Sequence, residues 1–404
     1  HLYCPFYEQK FDNGLKLIFI PSKSHIRAAG VYIAQGGFKH DELIDKSKIP
    51  FGTPYVLERV ISRKDIRERF LKEGAILKSH TDFSYTSFSV FTMRDVFEPF
   101  QELLKLLVPS SFDENDVETA KKTIKSILET DLSYSCRKVI DNLYYSSPIK
   151  YGIIPEQSDL VSIHYTALKK YLQKYYTPSK ITLFVIGDYT PDEVLHGVDQ
   201  LRMLSNTYPS SVEKKYEENY ATVKESYQEE ERDLTYPILS LGIKFSPRKD
   251  LYEKYGQLLF YIYEILVDIY FAKNVEFLKG LDEFSSHLVN VEFKQGSEDT
   301  YLVLQFMTEK GLALKNFLVN YITHLNKKIS RQDLSACIDD YYSKSLPNLV
   351  VNDKLFNNFV SAFANNLPYT GIITQTTKIP YKSFQTFTTD FMAFPRSVFY
   401  LKKR

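Results

Sequence analysis

Short β-rich runs and amphipathic helical stretches follow the same order twice along this chain, on either side of a charged stretch from Pro209 to Gln228. In the first pass, Leu15–Ile20 follows the turn dipeptide Asn13-Gly14, and Ala28–Gln35 runs into Gly36-Gly37. Tyr55–Glu73 has helical spacing, and Ile76–Thr92 alternates as strands do. Val96–Val108, Asp116–Tyr144 (one long helix or a pair) and Tyr165–Tyr175 are helical, and Ile181–Gly187 reads as a buried strand. In the second pass, strand patterns at Tyr236–Phe245 and Thr300–Met307 bracket a helical Tyr252–Leu278. Helices are expected at Leu312–Lys327, Arg331–Leu346 and Asp353–Asn366, a helix entry at Ile379–Phe384 and a last strand at Ser397–Leu401. At 404 residues the chain exceeds one typical core. The expectation is an α+β protein with domains at 1–208 and 229–404 and a linker at 209–228, each domain a mostly antiparallel sheet packed with helices.

Charge excludes some functions. Lys+Arg 51 against Asp+Glu 50 leaves a formal net charge of +1, with no concentrated basic stretch for nucleic acid or an anionic membrane. The longest apolar run, Leu258–Ala272, is interrupted by Glu264 and Asp268 and reads as a buried helix. Cys4, Cys136 and Cys337 form no CxxC pair, which fits a reducing compartment. Tyr7–Lys10 is polar and unlike a signal peptide, so a cytoplasmic location is expected. The 31 Tyr and 29 Phe read as strand and helix seams, with a peptide-binding groove as the alternative use. No G-x-S-x-G, Walker or G-x-G-x-x-G signature occurs. The eight histidines include no pair at i, i+3 or i, i+4, so no metal site is expected among them, and no cofactor is implied.

Several passages, in order, resemble the insulinase/pitrilysin family of zinc peptidases, in particular its bacterial two-domain members. Phe11-Asp12-Asn13-Gly14-Leu15 is similar to the family's opening "DNGL" strand, and Gly36-Gly37 to its first-strand glycine. Gly74-Ala75 ahead of Ser79-His80-Thr81 is similar to "GA..NA.T". Tyr175-Tyr176-Thr177-Pro178-Ser179 followed by Leu183–Asp188 is similar to "fYhPsNm.L.vvGd". The match spans most of the first half, while the second half rests on element order and Gly280-Leu281. The resemblance implies two insulinase-like domains.

It also implies where the chemistry would lie. The family uses an inverted zinc motif, H-x-x-E-H on a helix, with a distal Glu as third ligand. The matching stretch is Tyr55-Val56-Leu57-Glu58-Arg59, which keeps the carboxylate at Glu58 and changes both histidines. A neutral phenol at Tyr55 and a fixed positive charge at Arg59 do not ligate a dication. Alignment of Phe112–Lys121 with the family's next helix puts Ile127 at the distal position, with Glu118 and Glu129 nearby. Zinc lowers the pKa of its water from about 15.7 to about 7, roughly 12 kcal/mol at about 1.4 kcal/mol per unit, and no single Glu supplies that. Without a metal, Glu58 is expected in an exposed ion pair with Arg63, Arg59 or Lys125.

In the family the "GA..NA" segment is an edge strand that pairs with peptide substrate. Lys78, Ser79 and Thr81 occupy its matching positions here, and backbone pairing tolerates the changes. The Arg and Tyr often found in the second domain align near Glu276 and Glu283. The resemblance thus implies a non-catalytic subunit with a homologous partner carrying an intact H-x-x-E-H motif and an extended peptide as substrate, bacteriocin precursors being one family example. The alternative is a pure binding or assembly protein on the same fold.

Overall fold

The computed structural model describes residues 6–34, 49–128, 130–203, 216–295, 298–327, 329–350, 356–357, 360, 363–364 and 379–404. Gly36-Gly37, Glu129 and most of 353–366 lie outside them.

Two compact units account for the chain, the first comprising His1–Leu128, Gly152–Lys215 and Leu346–Thr374. Its strands are β1 (Tyr7–Lys10), β2 (Lys16–Pro21), β3 (Arg27–Ala34), β4 (Ala75–Thr81), β5 (Tyr85–Thr92) and β6 (Ile181–Gly187). They form one sheet in the order β1-β2-β6-β3-β5-β4, with β2 and β6 parallel and the other neighbours antiparallel. Its helices are α1 (Thr53–Ile61), α2 (Lys64–Lys72), α3 (Phe97–Leu106) and α4 (Glu114–Leu128). Helix α5 (Asp131–Leu143) falls in the other unit, and α6 (Gln157–Ser162), α7 (Tyr165–Tyr175) and α8 (Pro191–Val198) complete the first.

The second unit comprises Glu129–Tyr151, Tyr216–Ser345 and Gln375–Arg404. Its strands are β7 (Tyr227–Arg232), β8 (Ile238–Lys244), β9 (His287–Gln295), β10 (Thr300–Met307) and β11 (Arg396–Lys403). Their order is β7-β11-β8-β10-β9, with β7 and β11 parallel and the rest antiparallel. Apart from β1, each strand has a counterpart in the first sheet, so the repeat seen as element order is a repeat of topology. Helices α9 (Arg248–Tyr255), α10 (Leu259–Val267), α11 (Val275–Glu283), α12 (Gly311–Ile322) and α14 (Tyr381–Ala393) belong to this unit, and α13 (Arg331–Val350) begins in it.

Apolar burial explains the layers. In the first unit Val31, Ile33, Val90 and Val185 on the sheet share one core with Val56, Leu57, Val60, Ile61 and Ile124 on helices. In the second, Leu239, Leu241 and Ile243 of β8 share a core with Leu259, Leu266, Phe387 and Phe391. Burial of such a side chain contributes roughly 1.5–3 kcal/mol against exposure.

The contiguous boundaries 1–208 and 229–404 do not describe these units. Helix α5 covers the second sheet: Ser135 and Ser240 hydroxyls are 2.6 Å apart, and Gln305 donates to the Leu132 carbonyl at 2.9 Å. Conversely, Phe356 packs on the first sheet against Phe91 and Phe184, 5.8 Å from each ring centre. The charged stretch is not a free linker either. Lys244 and Glu218, both with fully buried side chains, pair at 2.7 Å, and Asp299 accepts from Ser147, Tyr216 and Tyr220. Tyr216, Glu218 and Tyr220 anchor a mostly exposed 216–226 to the unit, so composition alone misreads the segment as a free linker. The helical pattern at 55–73 is two helices, and that at 252–278 is α9, α10 and α11 joined by a 3₁₀ turn and a π turn.

Candidate functional site

Helix α1 is positioned by the backbone at both ends. Gly52, at φ +83, caps it in a conformation L side chains rarely adopt, and a Cβ there would come within 2.3 Å of Pro155. At the other end Ser62 accepts no further helical turn: its amide and its hydroxyl both donate to the Glu58 carbonyl, at 3.0 and 2.8 Å. Arg63 then takes extended backbone and α2 starts afresh. Helix α2 stops at Gly74, whose φ of +81 turns the chain into β4. Among the described residues, β4 is one edge of its sheet, and β1 is the other.

The two changed histidine positions face each other across one turn of α1. Arg59 Nη2 donates to the Tyr55 hydroxyl at 2.9 Å, and its guanidinium lies 4.7 Å from the centre of that ring. Arg59 Nε is 3.3 Å from Glu58 Oε2, an ion-pair contact without hydrogen-bond alignment. Burial works against the Arg59 charge, but Glu58 and the Tyr55 hydroxyl outweigh it and hold its pKa above the ordinary value. Glu58 is only 1% exposed, so the expected surface pair is instead a buried carboxylate beside a half-exposed arginine. Arg63, another expected partner, sits 3.3 Å from both Asp65 and Asp116.

Edge strand β4 closes the other side. Ser79 donates to the second Glu58 carboxylate oxygen and lies 2.7 Å from the Ser62 hydroxyl. Lys78 is exposed, with its ammonium 5.1 Å from the centre of the Phe91 ring. Thr81 is buried, its hydroxyl 3.5 Å from that of Thr86. Thus Ser79 joins the Glu58 cluster, whereas Thr81 turns to its own hairpin. Tyr176 also faces the cluster: burial first, then the Glu58 charge, pushes its pKa well up, and its hydroxyl is buried without a hydrogen-bond partner among the described residues. Sequence spacing located Tyr55, Glu58 and Arg59; Ser62, one turn after Glu58, was not singled out, and Tyr176 comes within reach of the Glu58 charge only through folding.

A cavity of about 670 Å³ opens here, lined by Arg59, Ser79 and, from α4, Ile127. Ile127 is 37% exposed, which places an apolar side chain where the distal ligand was aligned. Glu276 and Glu283 lie on α11 of the other unit. One histidine departs from expectation. Glu114, Glu118 and His164 bring one ligand atom each within 4.8 Å of one another, all exposed. Glu118 is also 2.8 Å from Lys121, and Glu114 accepts the Tyr165 amide at 3.1 Å. The grouping joins α4 to the start of α7, so no i, i+4 spacing announces it.

Comparison with known proteins agrees with this architecture. The "Peptidase M16 inactive domain" matches residues 162–262. An uncharacterized zinc protease, YmfH, of Bacillus subtilis strain 168 is 24% identical over 204 residues, covering 48% of each chain. A putative zinc protease, AlbF, of Bacillus subtilis is 25% identical over 197 residues, covering 46% of each. The match therefore spans about half the length of these relatives. Among solved structures, a putative M16-like peptidase from Alicyclobacillus acidocaldarius superposes with a TM-score of 0.76 at 17% identity, covering 100% of this chain and 99% of that one. A peptidase M16 inactive domain from Pseudomonas fluorescens gives 0.80 at 12% identity, covering 99% and 98%.

Two sheets of one topology, with a helix bearing Glu58 beside an edge strand, give the two units the fold of these M16-like structures. Over part of its length the chain is similar to M16 peptidases, the insulinase/pitrilysin family, including that family's inactive domain.

Proposed function

We propose that this chain is a non-catalytic subunit of a two-chain zinc peptidase, docking an extended peptide while a homologue with an intact H-x-x-E-H motif cleaves it. The observation that carries this reading is the closed Tyr55–Arg59–Glu58 arrangement. Its residues do not fit zinc: the Tyr55 oxygen is taken by Arg59, whose permanent charge repels a dication, and Ile127 offers no donor atom. With Glu58 engaged by Arg59 and Ser79, nothing here activates water. The edge position of β4 supports docking, since an edge strand offers backbone groups for an added strand.

Size-exclusion and peptidase measurements on this chain, on the intact-motif homologue and on their mixture test the proposal. A heterodimer active only as the mixture is expected. If the homologue is fully active alone, or the two do not associate, the chain is a binding or assembly protein without a part in proteolysis.

A further inference from the structure

The cavity beside the degenerate motif has a charge pattern that the loss of zinc does not require. Its wall carries Arg59, Arg63, Lys64, Arg67 and Lys78 against Asp65 and Asp116, while Glu58 beside the wall lies 3.3 Å from Arg59 and Glu68 lies 3.7 Å from Lys64. Asp65 and Asp116 both lie 3.3 Å from the one guanidinium of Arg63, so the lining acids are gathered at one point of the wall. Leu77, Ile124 and Ile127 add apolar surface. Helix α2 also starts in this wall, with Lys64, Asp65 and Arg67 all lining it. Its first residue follows Arg63, which makes no side-chain cap. The amide end of a helix carries partial positive charge and adds to that of the side chains. The cavity also borders β4, where Leu77, Lys78 and Ser79 are consecutive.

From this pattern we infer that the cavity is a carboxylate-binding pocket, which selects peptides with an acidic group where they pass β4. The inference rests on the peptide-docking reading and adds a substrate class to it. Cations in a recess with apolar walls attract a carboxylate more strongly than the same cations spread over an open surface. Guanidinium groups suit carboxylates through paired N–H donors. A cavity of about 670 Å³ has room for a side chain with part of its backbone, and excludes a folded macromolecule.

The test uses the whole chain and short end-labelled peptides of alternating valine and a variable residue. Three are compared with amidated C-termini: glutamate, glutamine and lysine at the variable positions. A fourth carries glutamine with a free C-terminal carboxylate. Fluorescence anisotropy at low and high salt gives the affinities. At low salt, at least tenfold tighter binding of the glutamate peptide than of the amidated glutamine peptide is expected, with lysine weakest and the preference shrinking at high salt. If the free-carboxylate peptide alone gains, the pocket takes a chain terminus, and the carboxylate inference stands with that source. Arg67→Gln with Lys78→Gln, both at exposed positions, is expected to bring glutamate and glutamine affinities within threefold. Equal wild-type affinity for glutamate, glutamine and lysine peptides would overturn the inference and leave peptide docking in place. No binding of any peptide at millimolar concentration would overturn docking itself and the inference with it.

Discussion

Arg59 and Tyr55 are bonded to each other, guanidinium to phenol at 2.9 Å across one turn of α1. In the resembled family this is the spacing at which two histidines share a metal, because residues four apart lie on one helical face. Here the same geometry closes the site. Purified chain is therefore expected to hold well under one zinc at these positions. Elemental analysis on the wild type and on His164→Gln separates this site from the exposed Glu114, Glu118 and His164 grouping. Stoichiometric zinc that survives His164→Gln would place a metal near Glu58 and end the dead-site reading.

Burial makes the Glu58–Arg59 pair asymmetric. The Glu58 side chain is 1% exposed and that of Arg59 47%. Removing Arg59 leaves a buried carboxylate with Ser79 as its bonded partner; since water reaches Arg59 and screens the pair, the expected cost is about 1–3 kcal/mol. Removing the Glu58 charge leaves an arginine that water reaches, and a glutamine there still accepts from Ser79, so about 1 kcal/mol is expected. Urea denaturation of Arg59→Gln and Glu58→Gln is expected to show the first as the more damaged. In a reconstituted complex, Glu58→Gln is expected to leave cleavage nearly unchanged. A hundredfold loss there would give Glu58 a catalytic part.

Glu218 sets an acid limit on the second unit. Burial raises its pKa, but Lys244 and the amides of Tyr145, Ser146 and Ser147 outweigh that and hold it below the ordinary value. The folded state thus binds this proton less tightly than the unfolded one. The stability it contributes is complete above the unfolded value, about pH 4.3, and is lost as the pH falls through the lowered folded value. Glu218→Gln is expected to cost about 3–5 kcal/mol at neutral pH, and the gap to wild type is expected to narrow below about pH 4. A gap that stays constant from pH 7 to pH 3 would show that Glu218 does not hold its charge in this pair.

Legibility in the sequence followed the chemistry of each segment. Tyr165–Tyr175, Ile181–Gly187 and Thr300–Met307 were plain because apolar residues recur at one period between turn residues. Strands β1, YEQK, and β7, YQEEER, were not, since they are held by backbone ladders to β2 and β11 and bury little. Strand β8 misleads in another way. Its alternation of Leu239, Leu241 and Ile243 with Ser240, Gly242 and Lys244 implies one solvated face, yet every one of these residues is buried. The polar face is covered by α5, more than 90 residues earlier in the chain, as the Ser135–Ser240 contact shows. The motif spacing marked Tyr55, Glu58 and Arg59, but burial of Glu58 and its bond to Ser79 depend on β4, which spacing along one helix does not reveal.

That covering by α5 has a direct test at Gly242. A Cβ added there would lie 3.0 Å from a Leu143 methyl and 3.1 Å from a Val139 methyl, tighter than ordinary contact. Both neighbours are buried residues of α5, so the gap between helix and sheet is set by the absence of a side chain on β8. Gly242→Ala is expected to be tolerated with a small shift of the two methyl groups. Gly242→Val adds further methyls in the same space, and overpacking of this kind costs about 1–3 kcal/mol. Val139→Ala alone leaves a cavity and is expected to destabilise as well. Combined, the two changes relieve each other, and the double variant is expected to be more stable than the sum of the single losses implies. Thermal or urea unfolding of the three variants measures this coupling. Strict additivity would mean that α5 does not lie on Gly242, and the assignment of 129–151 to the second unit would fall with it.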